Sequence, residues 1–346
     1  MSKAISMQKK LALIALPFVA VVIALGAFTR LADAGLGCPD WPGCYGFLHI
    51  PTQQQDIQQA NMAFPDQPYE FDKAWPEMVH RYFAGTLGLL ILGLFLLSWK
   101  IRQVQSTPFK LASVLLVLIV FQAALGAWTV TEKLHPLIVM GHLLGGFTTF
   151  SLLTIFAVRV FRPANDITNN DISSFKKLTS IAIAVLFMQI ALGGWTSANY
   201  AALVCTDLPI CQGDWTARTD FANGFKLWGH EAETYQYGVL SLESMTAIHV
   251  SHRIGAIVTS LVILLLIVSL MKKAESSISR KMVPLFSSLL VIQVALGVSN
   301  VVFHLPLSIA VAHNGVAALL LVSLVAYRTI IWQHERQFEQ QGVAHG

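Results

Sequence analysis

Four histidines in this sequence are paired in a way that suits metal chemistry. Each half of the chain has one histidine near the start of an apolar segment and one inside a later segment, namely His80 with His142 and His252 with His313. Ionisable side chains within membrane-spanning segments are costly and usually mark a function. Two histidines at similar depth on different helices of one bundle can ligate a haem iron from both faces. The sequence therefore predicts two haem sites with these four iron ligands.

Two alternative roles of the histidines stay open. A histidine can form a hydrogen bond between helices, and for a single histidine that is the commoner role. Zinc or copper would need further ligands, and no cysteine or carboxylate cluster accompanies the histidines to complete a tetrahedral site.

Charged residues accompany the histidines. Arg81 and Arg253 each follow a histidine directly, where they could bind haem propionates or extend to the membrane surface. Glu77 lies three residues before His80, on the same helix face, and His249 occupies the corresponding place in the second half. A carboxylate near a reacting carbon can move a proton or stabilise a developing cation. Glu77 therefore indicates catalysis in the first half, and a boundary carboxylate paired with water or Arg81 is the alternative.

The only cysteines form two pairs with one shared pattern, C-x-D-x-P-x-C. The five residues between the thiols match neither zinc sites nor thioredoxin-like motifs. On the oxidising side of a membrane we expect a disulfide in each pair, Cys38 with Cys44 and Cys205 with Cys211. The two disulfide loops would stabilise the chain over the outer ends of the bundles. Alternatively, the first loop would exchange electrons or hold an incoming haem.

Apolar helices must position these side chains. Hydrophobic residues make up 55% of the chain and charged residues 12%, about half the charged fraction of soluble domains. The apolar blocks reach the length of about 20 residues that a helical span needs. The sequence predicts an all-α integral membrane protein with eight transmembrane helices. They are expected near 11–29, 78–99, 109–131, 136–158, 178–198, 246–270, 283–303 and 307–331.

The positions of Lys and Arg predict the orientation in the membrane. Most of them lie at the N-terminus, in the even-numbered loops and at the C-terminus, which predicts that both termini are cytoplasmic. The long loops 30–77 and 199–245, with all four cysteines, then face outward. The net charge of +4 thus reflects topology, and we expect membrane lipid as a partner and no nucleic acid.

The second half of the chain repeats the first. An even number of helices per copy gives both copies the same orientation and a pseudo-two-fold axis along the membrane normal. We expect two pseudo-symmetric four-helix bundles, residues 1–165 and 166–346. The matching segments are Leu25-Gly26 with Leu192-Gly193, His80-Arg81 with His252-Arg253, Gln122 to Gly126 with Gln293 to Gly297, and His142 with His313.

With these motifs the chain resembles the haem A synthase family, in its four-cysteine bacterial type, over all eight expected spans. The motifs that carry the resemblance are G-L-G-C-P-D-W-P-x-C at 35–44, E-x-x-H-R at 77–81, L-G-x-W-T-V at 125–130, His142, Cys205 with Cys211, His252-Arg253 and His313.

The resemblance implies an oxidoreductase of the bacterial inner membrane. It would oxidise a methyl group of haem O to the formyl group of haem A, for cytochrome oxidase. The implied roles are substrate haem binding at His80, His142 and Arg81, binding of a resident haem b at His252, His313 and Arg253, and catalysis at Glu77.

The resemblance also implies partners and leaves other functions open. A haem O synthase and an electron donor are the expected partners, and a homo-oligomer is compatible with them. A dihaem cytochrome b that transfers electrons without substrate chemistry is one alternative. A haem transporter or assembly chaperone is another.

Overall fold

A computed structural model describes residues 2–104, 107–161, 167–209 and 211–344. Within these ranges the chain forms ten α-helices and no β-strand. Eight of the helices are long and apolar enough to cross a membrane, so the chain is a multi-pass membrane protein, as predicted. The helices are α1 (Ser2–Leu31), α2 (Gln54–Ala63), α3 (Phe71–Lys100), α4 (Phe109–Thr131), α5 (Pro136–Phe161), α6 (Asn169–Ala198), α7 (Phe221–Gly224), α8 (Leu242–Lys273), α9 (Ser277–Val302) and α10 (Leu307–Ala344).

Several spanning helices begin earlier than their apolar segments do. α6, α8 and α9 start at 169, 242 and 277, whereas hydropathy placed the spans from 178, 246 and 283. Each has a side-chain cap at its start, because Thr168, Ser241 and Ser276 accept hydrogen bonds from backbone N–H groups three residues on. Such caps satisfy donors that the first helical turn leaves unpaired, so the helices continue into polar sequence.

The helices contact each other in the same order in both halves. α1 packs on α3, α3 on α4, α4 on α5 and α5 on α1, and α6, α8, α9 and α10 close a second ring in the same way. The two rings meet where α5 contacts α10, with further contacts of α1 to α10 and of α5 to α6. A duplicated four-helix unit would produce this pattern. The predicted division after residue 165 lies outside the described residues and stays a prediction.

A buried polar cluster fixes the start of α6 against α9 and α10. The Asp171 carboxylate is fully buried and accepts hydrogen bonds of 3.1 Å from the backbone N–H groups of Glu275 and Ser276. It also accepts one of 3.1 Å from the Ser279 hydroxyl, which lies 2.8 Å from the Tyr327 hydroxyl. Because buried polar groups must be paired, this cluster holds one end of the second bundle together.

The two long loops fold over the opposite end of the bundles. The buried Tyr45 donates a 3.1 Å hydrogen bond to the Pro68 carbonyl, and burial raises its pKa to about 12. The loop between α6 and α8 reaches the first bundle, where the Tyr235 N–H donates to the Lys133 carbonyl at 3.0 Å. The Tyr235 ring also lies 4.8 Å from that of His135, where burial lowers the pKa of the imidazole. The second half therefore helps to cover the first.

Candidate functional site

The structure brings His80 and His142 together in the first bundle. His80 on α3 and His142 on α5 lie on helices at opposite corners of the ring, and their imidazole centroids are 6.3 Å apart with perpendicular planes. Two metal–nitrogen bonds of about 2 Å each, added to the radii of the two rings, span a similar distance. The pair therefore fits one iron bound between two imidazoles.

A glycine on a neighbouring helix makes room for each of the four histidine rings. A β-carbon added to any of these glycines would lie between 2.9 and 3.4 Å from the Cε1 atom of the ring, closer than the 3.5–4.0 Å at which carbon atoms normally pack. The pairs are Gly26 with His80, Gly126 with His142, Gly193 with His252, and Gly297 with His313. The Leu-Gly repeat found in the sequence is therefore a packing requirement of the histidines.

Glutamine side chains contact both histidines of the second bundle. The Gln189 Nε2 atom lies 2.9 Å from His252 Nδ1 and donates to the His252 carbonyl at 3.0 Å. The Gln293 Nε2 atom lies 3.3 Å from His313 Nε2. These amides limit how the two rings can turn.

The donor set fits haem better than a bare metal ion. Among the described residues, no three His, Cys, Asp or Glu side chains lie close enough together to hold a metal ion. A haem iron needs only two axial ligands from the protein. α5 is not closely packed beside His142, since a β-carbon at Gly141 or Gly146 would meet no atom within 4 Å apart from its chain neighbours and the backbone of its own helix. Small residues on both sides of the ligand are compatible with a bulky group at this place.

Glu77 lies at the junction of α3 and the first cysteine loop. Its carboxylate is buried, accepts a 2.9 Å hydrogen bond from the Cys38 N–H and forms an ion pair with Arg81. The sequence suggested either a catalytic carboxylate or one satisfied by Arg81, and the ion pair is present. Because one oxygen is bound to the loop backbone, any movement of the loop would also move the carboxylate.

Arg81 and Arg253 contact their cysteine loops in the same way. Arg81 donates to the carbonyls of Asp40, at 2.9 Å, and Gly43. Arg253 donates to the carbonyls of Asp207 and Cys205. Propionate binding by these arginines stays a prediction, whereas a role in anchoring the loops is visible directly.

Both expected disulfides are present. Cys38 is bonded to Cys44 and Cys205 to Cys211, each with a Cα–Cα distance of 4.8 Å. In the first loop the Asp40 carboxylate also accepts hydrogen bonds from the N–H groups of Tyr45, at 2.6 Å, and Gly46, at 2.8 Å. The first loop is thus held by a disulfide, a carboxylate cap and an arginine.

The second bundle has different groups at the positions of Glu77 and Arg30. His249 replaces the carboxylate, and its Nε2 accepts a 3.1 Å hydrogen bond from Arg253 Nε. Arg30 lies in the last turn of α1, not beyond the helix as the span boundary suggested. It donates to the carbonyl of Ser197, its own counterpart in the repeat, and stacks over the Tyr200 ring at 4.1 Å. Arg30 therefore connects the two halves.

Sequence reasoning missed Gln189. The signal was available, because Gln189-Ile190-Ala191-Leu192-Gly193 has the same Gln-x-Ala-Leu-Gly pattern as 122–126 and 293–297. Only its Leu-Gly end was matched, to the Leu25-Gly26 of α1.

Comparison with known proteins identifies relatives along nearly the whole chain. Residues 9–325 match the model of the COX15-CtaA family, described as cytochrome oxidase assembly protein. A heme A synthase from Shewanella oneidensis is 47% identical over 92% of this chain and 95% of the relative. Heme A synthases from Shouchella clausii and Rickettsia bellii are 26% and 27% identical, over 94% and 88% of this chain and 98% and 92% of the relatives.

Proposed function

Because the chain belongs to the COX15-CtaA family of cytochrome oxidase assembly proteins, we propose that it is a haem A synthase. The enzyme takes haem O as its substrate and oxidises one methyl group, through an alcohol, to the formyl group of haem A. The observation that carries this proposal is the 47% identity to the Shewanella oneidensis heme A synthase over 92% of the chain. Two partly buried histidine pairs, one with a buried carboxylate beside it and one without, support it.

The two bundles have different tasks in this proposal. His80 and His142 bind the substrate haem in the first bundle, where their 6.3 Å ring separation suits one iron. His252 and His313 hold haem b in the second, and this group supplies one-electron transfer when bound. The eight spanning helices keep both sites in the bacterial inner membrane, where haem O and its synthase are also expected.

Glu77 is the catalytic residue of the proposal. It lies one helical turn before His80 on the same face of α3, so its carboxylate would be close to a haem held by that histidine. From that position it can take the proton that leaves the methyl carbon or stabilise positive charge that develops on it. Arg81 and the Cys38 N–H hold the carboxylate in one place, which is the preorganisation that such stabilisation requires.

The test is to express the chain with a haem O source in a bacterium that lacks its own haem A synthase. Extracted haems are separated by chromatography, and the purified protein is analysed for haem type and haem content per chain. We expect haem A from the wild-type protein. We expect the Glu77→Ala variant to retain bound haem and to make no haem A.

Two outcomes would contradict parts of the proposal. If the Glu77→Ala variant formed haem A at the wild-type rate, Glu77 would not be the catalytic residue. A wild-type protein that retains two haems and makes no haem A would instead be a dihaem cytochrome b. That second function has one observation in its favour, namely that the Glu77 carboxylate already has partners, as it would in a purely structural role.

A further inference from the structure

One pentapeptide pattern occurs in four spanning helices, and one copy differs from the rest. α4, α6 and α9 carry Gln-x-Ala-Leu-Gly, and α1 carries Val-Ile-Ala-Leu-Gly at 22–26. In every copy the glycine packs against one of the four histidines. Val22 therefore stands in the first bundle where Gln189 stands in the second.

The contacts agree with this correspondence. Gln189 reaches His252 through its amide, at 2.9 Å from the ring and 3.0 Å from the backbone carbonyl. The ring of His80 faces the backbone of Val22, but in a geometry that leaves its buried Nδ1 without a hydrogen bond among the described residues. The two bundles hold the corresponding histidine in different ways.

A second substitution accompanies the first. In the second bundle Gly255, three residues after His252, faces Gln189, and a β-carbon there would lie 2.3 Å from the amide Oε1. The corresponding residue of the first bundle, three after His80, is Phe83, which stacks on Phe18 at 5.3 Å. Two aromatic rings thus occupy the first bundle where the second has room for an amide.

A histidine that ligates a metal through one nitrogen is normally oriented by a hydrogen bond at the other. Loss of such a partner typically weakens metal binding by about 10- to 100-fold. An amide can present a donor or an acceptor to the ring. The Gln189 Oε1 is buried and has no partner among the described residues. Half a turn of the amide would present this oxygen to a proton on Nδ1, in exchange for the hydrogen bond that Nε2 donates to the His252 carbonyl.

We propose that Gln189 is the positioning residue that makes the second bundle a permanent haem site. In the first bundle Val22 takes the place of Gln189 and Phe83 that of Gly255, and this leaves His80 able to release haem. A synthase must exchange haem at one site and keep it at the other. The inference rests on the proposed function, because it explains how one duplicated unit meets both requirements.

The experiment measures haem release in the absence of turnover. Purified holoprotein is mixed with excess apomyoglobin, a haem acceptor, and transfer is followed by the Soret band. We expect Gln189→Leu to release the haem of the second bundle about 10- to 100-fold faster than the wild type, and to shift its low-spin electron paramagnetic resonance signal. Gln189→Glu, which keeps an oxygen near the ring, should restore slow release. The matched control is Gln8→Leu, which removes a buried amide bonded to Ser98 at the other end of α1 and should release haem at the wild-type rate.

If Gln189→Leu does not fold, the proposal can be tested by introducing the residues of the second bundle into the first. Val22→Gln combined with Phe83→Gly should make the haem of the first bundle leave more slowly, so that it copurifies with the protein. Release from Gln189→Leu at the wild-type rate with an unchanged resonance signal would overturn the proposal. Since no turnover is involved, the release rates keep their meaning even if the wild-type protein makes no haem A.

Discussion

At the scale of single residues, glycines on neighbouring helices provide the space that the histidine rings occupy. A glycine costs up to about 1 kcal/mol in a helix interior relative to alanine, so it needs a compensating role. Gly26 and Gly193 have one, because a β-carbon at either would come within 3.0 Å of the Cε1 atom of His80 or His252. Each glycine therefore allows a histidine ring to occupy the space between two helices.

We expect Gly26→Ala to displace the His80 ring and Gly193→Ala to displace that of His252. The first variant should lose at least about 10-fold in haem A formation while it keeps the haem of the second bundle, an effect the size of a lost ligand-orienting contact. The second variant should lose that resident haem. Haem content per chain and haem A yield, measured on the same membranes, separate the two effects.

The matched control for both variants is Gly88→Ala on α3. Its β-carbon would meet Ile119 at 4.0 Å, an ordinary contact, so we expect unchanged haem content and a gain in stability of up to about 1 kcal/mol. Full haem occupancy and normal activity in Gly26→Ala would argue against the packing role of that glycine.

The histidines and the carboxylate of the candidate site can be recognised in the sequence, whereas the contacts that hold them in position cannot. His80, His142 and Glu77 are visible because ionisable residues are rare in apolar segments. Gln189 is uncharged, and its contact with His252 joins residues 63 positions apart, which only the packing of α6 on α8 brings together. The loop contacts of Arg81 were not foreseen either, since they depend on how 38–44 folds back over α3.

At the scale of elements, the two cysteine loops have the same disulfide but different attachments. The first is bound to Glu77 through the Cys38 N–H. The second has His249 in place of that carboxylate. Within the second loop, the Gln212 side chain accepts a hydrogen bond from the Thr206 N–H at 3.2 Å and donates one to the Val204 carbonyl at 3.3 Å. Only the first loop touches a residue proposed to do chemistry.

This difference predicts unequal effects of removing the two disulfides. A cross-link that closes a loop this short contributes about 2 kcal/mol in the chain-entropy account, so both double variants should lose similar stability. Cys38→Ser with Cys44→Ser should also lose haem A formation, because the loop then holds Glu77 less firmly. Cys205→Ser with Cys211→Ser should keep it.

The measurements are thermal unfolding in detergent, haem content and haem A yield. Equal activity in the two double variants would show that the first disulfide is not needed to hold Glu77 for catalysis.

The number and order of the spanning helices were predicted correctly because eight apolar segments are hard to mistake. The starts of α6 and α8 were placed too late, since caps such as Thr168 and Ser241 extend a helix into polar sequence that hydropathy does not count. The short helices α2 and α7 lie in the long loops, where α2 is mostly polar and α7 has only four residues, so neither forms an apolar segment that hydropathy could detect.

At the scale of the whole molecule, duplication of a four-helix unit would explain how two similar sites can serve the different purposes proposed for them. Both bundles inherit the histidine pair, the glycines and the anchored cysteine loop. Next to the histidines the halves differ at Glu77, Val22 and Phe83, where the second bundle has His249, Gln189 and Gly255. A copy could therefore acquire catalysis while the helices that define the fold stayed the same.

The charges of the chain predict its orientation in the membrane and give a last prediction. Lys3, Lys9 and Lys10 precede the apolar part of α1, and Lys272 and Lys273 end α8. Lys and Arg near a span favour the cytoplasmic side, and eight spans return the chain to the side on which it began. Alkaline phosphatase, which is active only outside the cytoplasm, should thus be active when fused after Gly229 and inactive when fused after Ala274. A fluorescent protein fused to the C-terminus should be bright. The opposite pattern would place both disulfides in the reducing cytoplasm, where such bonds are rare, and would contradict the predicted topology.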